Sequence, residues 1–392
     1  MKMNRIYLKS GKDEPLRRQH PWVFSGAIAR AEGNPQEGDL VEVCAADGQR
    51  LGWGHAQVGS IAVRMLAFGE QAMEADFWRQ RLQRAYSLRC ATVLSERTTC
   101  YRLVHGEGDD LSGLIVDIYG STAVMQAHSA GMHLARHELA QALRSVYGSS
   151  LRAVYDKSAA TVPFKANLGV ADGYLWGERQ CEPALENGLK FEVDWEAGQK
   201  TGFFLDQRDN RSLLERYSGG RCVLNMFGYT GGFSAYALRG GAQHVCTVDS
   251  SARAVEQAVR NVSLSFGDSA PHEAVVADGF EFLQSADSRY NLIVLDPPAF
   301  AKHAGALRSA LQAYRRLNAL ALRQAAQGSI VFTFSCSQVV SREQFRSTVF
   351  AAAVDSGRSV KILHQLTQPA DHPISIFHPE GEYLKGLALY VD

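Results

Sequence analysis

Three aspartates each close an apolar run in the second half of the chain: Asp249 ends HVCTVD, Asp278 ends EAVVAD and Asp296 ends YNLIVLD. A carboxylate at the end of a strand can accept hydrogen bonds from a ribose diol. Asp249 stands about 20 residues beyond NMFGYTGGF (225–233), where Gly228, Gly231 and Gly232 permit a tight turn and close approach of the backbone to a ligand. Each aspartate alone is more often a helix N-cap; the three together, after a glycine turn, point to a nucleoside-binding crevice. The turn lacks the G-x-G-x-x-G dinucleotide fingerprint, and no G-x-x-x-x-G-K-[ST] occurs. A dehydrogenase and a P-loop nucleotidase are therefore disfavoured. A thiol completes the set, because Cys336 follows the apolar run SIVFTFS within FTFSCSQ (332–338).

These residues need a scaffold, and the pattern supplies one. From about residue 190, apolar runs of strand length alternate with helical segments: RCVLNMF, HVCTVD, EAVVAD, YNLIVLD and SIVFTFS are strands, and VKILHQL and YLKGLALYV form a closing pair. Such alternation marks βαβ units in a parallel sheet covered on both faces, here with seven strands. Ligands of open α/β sheets bind beyond the carboxyl ends of the strands, where the aspartates and Cys336 fall. Residues 1–72 read instead as short strands broken by turns, a small β-barrel. Residues 73–190 read as a central α+β domain. It opens with a helix near 74–98 carrying Phe77, Leu82, Ala85 and Leu88 on its apolar stripe, and has one further helix near 130–146.

Composition restricts the alternatives. Lysine plus arginine equals aspartate plus glutamate at 41 each, so net charge alone does not indicate nucleic acid. Its distribution is more informative. Lys2, Arg5, Lys9, Lys12, Arg17, Arg18 and Arg30 crowd the N-terminus, and Arg79, Arg81, Arg84, Arg89, Arg97 and Arg102 form a second group facing only Glu96 within its window. Such patches attract phosphates, although a solvated face explains each equally well. The seven cysteines are scattered without a C-x-x-C pair, so neither a disulfide framework nor a metal site is expected, and a reducing cytoplasm is the expected location. No secretory h-region and no membrane span are expected.

The order NMFGYTGGF, VDSS, VVADGFEF, LDPPAF, FTFSCS resembles the class I S-adenosylmethionine-dependent methyltransferases. More narrowly, the chain resembles the bacterial 23S rRNA cytosine-C5 methyltransferases of the RlmI type. HPWVFSGAI is similar to that family's N-terminal PUA (RNA-binding) module, RLVHGEGDDLSGLIVDIYG to its central domain, GQKTGFFLDQRDNR to the segment entering the catalytic sheet, and DHPISIFHPEGEYLKG to its ending. The resemblance implies a Rossmann-like catalytic domain over 191–392, S-adenosylmethionine as cofactor and 23S rRNA as partner, free or in an assembling subunit. It leaves room for a homodimer and implies no membrane and no metal. Asp249 with Ser250 would hold the ribose, and Asp278 with Gly279 would lie near the adenine edge. Asn225, Phe227, Gly228, Thr230 and Gly231 would line the turn under the methionyl part. Lys200, Thr201, Gln207 and Arg208 would close over the cofactor or the base, with Asp296 beside it.

Asp-Pro-Pro-Ala-Phe (296–300) resembles the fourth motif of nucleic-acid methyltransferases. In amine-methylating members this segment grips an exocyclic amine, and no covalent step is needed. Carbon-5 of a pyrimidine is a poor nucleophile and requires a thiolate to add first at carbon-6. Cys336 is the cysteine at a strand end of this sheet; Cys222 and Cys246 lie early in or inside strands, as small buried hydrophobes do, and Cys44, Cys90, Cys100 and Cys181 lie outside the domain. Cys336 and Asp296 are thus the expected catalytic pair, with Pro297, Pro298, Phe300, His372, Arg17 and Arg18 contacting substrate. Many cytosine-C5 RNA enzymes carry a second cysteine after the motif's proline, whereas Pro298-Ala299 stands here. Two alternatives stay open: a same-fold enzyme acting on guanine, adenine or uracil, and a non-catalytic RNA-binding assembly factor.

Overall fold

Residues buried at every second position set the first sheet. Ile6 and Leu8, Val41 and Val43, and Val63 and Met65 share one core, the period of a strand with one face inward. The computed structural model describes residues 4–69, 74–163 and 168–392; Lys2, and the expected barrel boundary at 72–73, lie outside the described residues. The strands are β1 (Arg5–Leu8), β2 (Trp22–Phe24), β3 (Ile28–Glu32), β4 (Leu40–Cys44), β5 (Arg50–Ala56) and β6 (Ile61–Phe68), with a one-turn helix α1 (Glu14–Arg17) between the first two. They are ordered 2-6-5-4-1-3, antiparallel except where β1 meets β4.

A second sheet follows, ordered 11-10-9-8-7: β7 (Cys100–His105), β8 (Leu114–Tyr119), β9 (Thr122–Ala127), β10 (Ala153–Asp156) and β11 (Gly173–Trp176). Helices α2 (Phe77–Thr92), α3 (Ala130–Leu134) and α4 (Arg136–Tyr147) accompany it. The single helix expected near 130–146 is two, broken at Ala135. The stripe on α2 also differs from expectation. Leu82 and Ala85 are buried, but Leu88 is exposed and Arg89, 0 % exposed, takes the inward place. Leu82, Ala85 and Arg89 are spaced i, i+3, i+7, whereas Leu88 lies off that line. Arg89 is tolerated inside because Asp109 accepts two of its hydrogen bonds at 2.7 and 2.6 Å, and the carbonyls of Arg102 and Asp371 accept two more.

The chain divides into two compact units, one of Met1–Leu185, Val193–Leu205 and Ala370–Gly381, the other of Glu186–Glu192, Asp206–Pro369 and Glu382–Asp392. Both sheets above belong to the first. After a small pair, β12 (Ala184–Glu186) and β13 (Leu189–Phe191), the second unit is built on helix α5 (Arg208–Tyr217) and a repeating series. The series runs β14 (Cys222–Met226), α6 (Gly232–Arg239), β15 (His244–Asp249), α7 (Ala252–Phe266), β16 (His272–Val276), α8 (Gly279–Ser285), β17 (Leu292–Leu295), α9 (Leu307–Gln324), β18 (Ser329–Ser335), α10 (Arg342–Ser356), β19 (Val360–Leu366) and β20 (Lys385–Val391). Seven strands form one sheet ordered 16-15-14-17-18-20-19, parallel except for β20, which runs antiparallel to both neighbours. Alternate residues face opposite layers. Leu224, Cys246, Ile293 and Val331 pack with Leu317 and Phe345 of α9 and α10, while Val223, Val245, Leu292 and Phe332 pack with Leu214 and Phe233 of α5 and α6. Among the described residues no helix is long and apolar enough to cross a membrane.

Helix α5 is anchored by a buried ion pair. Arg211 donates to both oxygens of Glu186 at 2.8 Å, Tyr236 donates to the same carboxylate at 3.0 Å, and the Arg208 guanidinium lies 3.5 Å away. Removing one partner of a buried pair leaves the other charge uncompensated, at a cost of about 3–5 kcal/mol. Glu186→Gln should therefore destabilise the second unit by about that amount in urea unfolding; a loss below about 1 kcal/mol would contradict the anchoring role.

Candidate active site

The turn after β14 is held in an uncommon backbone conformation. Phe227, Tyr229 and Gly231 have φ of 57°, 44° and 80°, in the left-handed region that side chains other than glycine's seldom adopt. A Cβ on Gly228 would lie 2.5 Å from Cγ2 of Thr247, so the turn presses against β15 with no room for a side chain. Beneath it runs a buried polar chain: Asn225 donates to Ser234 at 2.9 Å, the Ser234 and Thr247 hydroxyls are 2.6 Å apart, and Thr247 meets Nε2 of His272 at 2.7 Å. Asn225 thus braces the turn from below. Thr230 is buried, and its carbonyl accepts from Asn261 at 2.9 Å.

Asp249 ends β15, and its carboxylate accepts from the backbone amides of Tyr229 and Ser251, both at 2.9 Å. One amide bond per oxygen leaves each with acceptor capacity for a diol, while fixing the group at the mouth of the turn. Ser250 is exposed beside it. Asp278 is an N-cap, accepting from the amides of Phe280 and Glu281, so its carboxylate already serves α8. Capping draws it off β16, which ends at Val276 rather than at Asp278. A Cβ on Gly279 would fall 2.6 Å from the Phe227 ring, which brings the first and third strand ends together.

A carboxylate pair and a thiol occupy the next strand ends. Asp296 follows β17 and accepts from Gln207 at 3.0 Å. It retains some solvent contact, but crowding strips most of the carboxylate's hydration. Burial, reinforced by the nearby charge of Asp206, pushes its pKa up to about 7. Asp206 accepts from the Tyr383 hydroxyl at 2.7 Å, and its other oxygen is buried with no hydrogen-bond donor among the described residues. Cys336 follows β18, the strand beside β17, and its Sγ lies 4.0 Å from the Pro297 carbonyl. Burial first, then Asp296 and Asp206, push the thiol up to about 12. A backbone hydrogen bond and then Lys385 oppose them; Lys385, buried at the start of β20, donates to the Ser337 carbonyl at 2.7 Å and is pushed down to about 8 by burial. Sequence reading missed Asp206 as half of this pair and Lys385 altogether; a lone lysine opening the last strand gives no sequence signal of burial.

Other expected site residues are engaged differently. Thr201 belongs to the first unit and is buried there, donating to Asp117 at 2.6 Å and meeting the Tyr119 hydroxyl at 3.0 Å. Lys200, exposed and with φ of 53°, precedes it in the same unit. Arg208 is held at Glu186 inside the second unit. His372 is 2 % exposed within the first unit, with Nδ1 3.0 Å from Asp371 and its ring 5.0 Å from that of His105. Pro297 is buried and Pro298 exposed, while the Phe300 ring packs against Tyr314 and Phe280, centroids 4.7 and 6.3 Å apart. Arg17, ending α1, and Arg18 just beyond it are exposed but paired with Asp13 and Glu14 one turn back. Of the second basic group, Arg81, Arg89 and Arg102 pair with Asp110, Asp109 and Asp117, acidic partners outside the window that seemed to isolate them.

Residues 6–68 match the PUA-like domain family, and residues 168–364 match the S-adenosylmethionine-dependent methyltransferase family. The chain is 41 % identical to ribosomal RNA large subunit methyltransferase I of Aeromonas salmonicida, across 98 % of each protein. A SAM-dependent methyltransferase from Streptococcus mutans has the same fold, with a TM-score of 0.83 over 99 % of this chain and 100 % of that one, at 23 % identity. A further methyltransferase structure, solved in complex with S-adenosylhomocysteine (SAH), gives 0.84 over the same shares and at the same identity.

The strained Asp296 ionisation has a signature in stability. The folded chain holds this proton up to about pH 7, whereas an unperturbed aspartate releases it near 3.8. The contribution is fully present below the unfolded value and lost as pH rises through 7, by at most about 4 kcal/mol at about 1.4 kcal/mol per pH unit. Asp296→Asn, which cannot ionise, should be the more stable protein at about pH 8 in urea unfolding, and the gap should close toward about pH 4. A gap of constant size across that range would contradict this.

Proposed function

Because the chain belongs to the ribosomal RNA large subunit methyltransferase I family, we propose that it methylates carbon-5 of a cytosine in 23S ribosomal RNA, with Cys336 as covalent nucleophile and Asp296 gripping the base. The observation that carries this reading is the position of the Cys336 thiol, 4.0 Å from the Asp-Pro-Pro loop at the ends of two adjacent parallel strands. An amine-methylating site has no use for a nucleophile there.

The residues divide the chemistry as follows. The Cys336 thiol gives up its proton to a base as its sulfur forms a bond to carbon-6, and the displaced electron pair moves through the ring to nitrogen-3. Asp296, poised at about 7, is protonated often enough near neutrality to donate to that nitrogen, while its other oxygen accepts from the exocyclic amine. Carbon-5 is then electron-rich and takes the methyl group; a base removes the carbon-5 proton, and the thiolate leaves carbon-6. S-Adenosylmethionine would supply that methyl on a cationic sulfur, a charge that suits a pocket lined by the acidic side chains of Asp206 and Asp296. Asp249 would hold its ribose, the turn at 227–231 would underlie its methionyl part, and the unsatisfied oxygen of Asp206 would accept from its ammonium. Lys385 favours the thiolate electrostatically.

The PUA-like domain offers a separate grip on RNA, with Lys9, Lys12 and Arg18 exposed on it. All seven cysteines are free, which suits a reducing cytoplasm.

Cys336→Ala should lose tritium-methyl transfer to rRNA by at least about a thousandfold while binding cofactor within about threefold of the parent in calorimetry. Asp249→Ala should weaken that binding by at least about tenfold. Full transfer by Cys336→Ala would sink the covalent reaction, and nucleoside mass spectrometry would then assign the modified base among guanine, adenine and uracil.

A further inference from the structure

We propose that His20, His378 and Glu380 form a binding site for a divalent transition-metal ion of the Zn2+ class, fastening the segment Ala370–Gly381 onto the β1–β6 sheet. Their donor atoms lie within 4.8 Å of one another, and all three residues belong to the first unit. Nε2 of His20 is 3.7 Å from one oxygen of Glu380, and Nε2 of His378 is 3.8 Å from the other. Donors about 2.0–2.2 Å from a tetrahedral Zn2+ are roughly 3.3–3.5 Å apart, so the two pairs that include Glu380 need a few tenths of an ångström, which this exposed side chain can supply, and the widest separation needs about 1 Å more from the histidine side chains.

The observation that calls for an ion is the state of His378. It is 3 % exposed, yet neither ring nitrogen has a hydrogen-bond partner among the described residues, and buried polar atoms of folded proteins are rarely left so. Nε2 of His378 faces the Glu380 carboxylate at 3.8 Å, too far for a hydrogen bond, a spacing that suits a cation shared between them. The Trp22 ring, 4.3 Å from that of His378, fixes it edge-on. Nδ1 of His20 lies 3.4 Å from the Trp22 carbonyl and 3.2 Å from the Trp22 amide. Metal binding selects the tautomer that donates to the carbonyl and frees Nε2, the usual arrangement for a metal-bound histidine. The nearby Arg64 is neutralised by Glu107 at 2.7 Å, which leaves Glu380 as the local charge. Three protein ligands leave a fourth position for water. His20 stands far in sequence from the other two, which is why ligand spacing gave no sign of the site.

The test is calorimetric titration of the full chain with Zn2+ after chelation and desalting, paired with Co2+ absorption and thermal melting. One ion per chain should bind with Kd at or below about 1 µM and raise the melting temperature. The Co2+ form should lack the ultraviolet band of a cysteine thiolate ligand. His378→Phe, which keeps the ring, and Glu380→Gln, which changes an exposed group, should each weaken binding by at least about thirtyfold. No binding, or equal binding by parent and both variants, would overturn the proposal; the second result would place the ion on cysteines such as the exposed Cys90 and Cys181.

Discussion

Two carboxylates and a thiol share one crowded corner of the second unit, and most of what surrounds them answers to that repulsion. Asp296 is pushed up by burial and by Asp206, and Cys336 by burial and by both. Left to itself, the corner discourages negative charge, so the thiol stays protonated and unreactive. A cation delivered there changes the balance at once, because attraction in a dehydrated pocket far exceeds its value in water. On the proposed reaction this makes nucleophile activation depend on the presence of the methyl donor. A thiol exposed and ionised at all times would be alkylated or oxidised indiscriminately.

The scaffold keeps that corner from relaxing. Parallel β17 and β18 fix the spacing of Asp296 and Cys336, and antiparallel β20 returns along β18 to bring in Lys385. Helix α5 carries Gln207 at its entrance and is locked by Arg211 and Glu186. On the other side of β14, the left-handed turn and Asp249 are braced by backbone amides and the Asn225–Ser234–Thr247–His272 chain. The groups that would meet a ligand rest on strand ends and backbone, with few exposed rotamers to order.

The seven strands of the second unit were legible because fully buried parallel strands are short apolar runs with turns between them. The placement of Asp249, Asp296 and Cys336 at strand ends was legible for the same reason. Side-chain allegiance was not. Arg89 reads as a solvated charge and Leu88 as core, yet Asp109, twenty positions on, reverses them. Thr201 and Arg208 look like neighbours in one cofactor-closing segment, but the unit boundary passes between them and each is bonded into a different interior. Asp206 was visible as a residue and invisible as half of a carboxylate pair, since its partner lies ninety positions away. Pairings of that range are fixed by tertiary packing, which local pattern does not encode.

The central claim is a covalent bond between Cys336 and the base, and trapping tests it most directly. In RNA carrying 5-fluorocytidine, fluorine replaces the carbon-5 proton, so the final elimination cannot proceed. Incubation with S-adenosylmethionine should give a protein–RNA adduct that survives denaturation, depends on the cofactor and maps by mass spectrometry to the peptide containing Cys336. Absence of any adduct, with methyl groups instead recovered on an exocyclic amine, would contradict it.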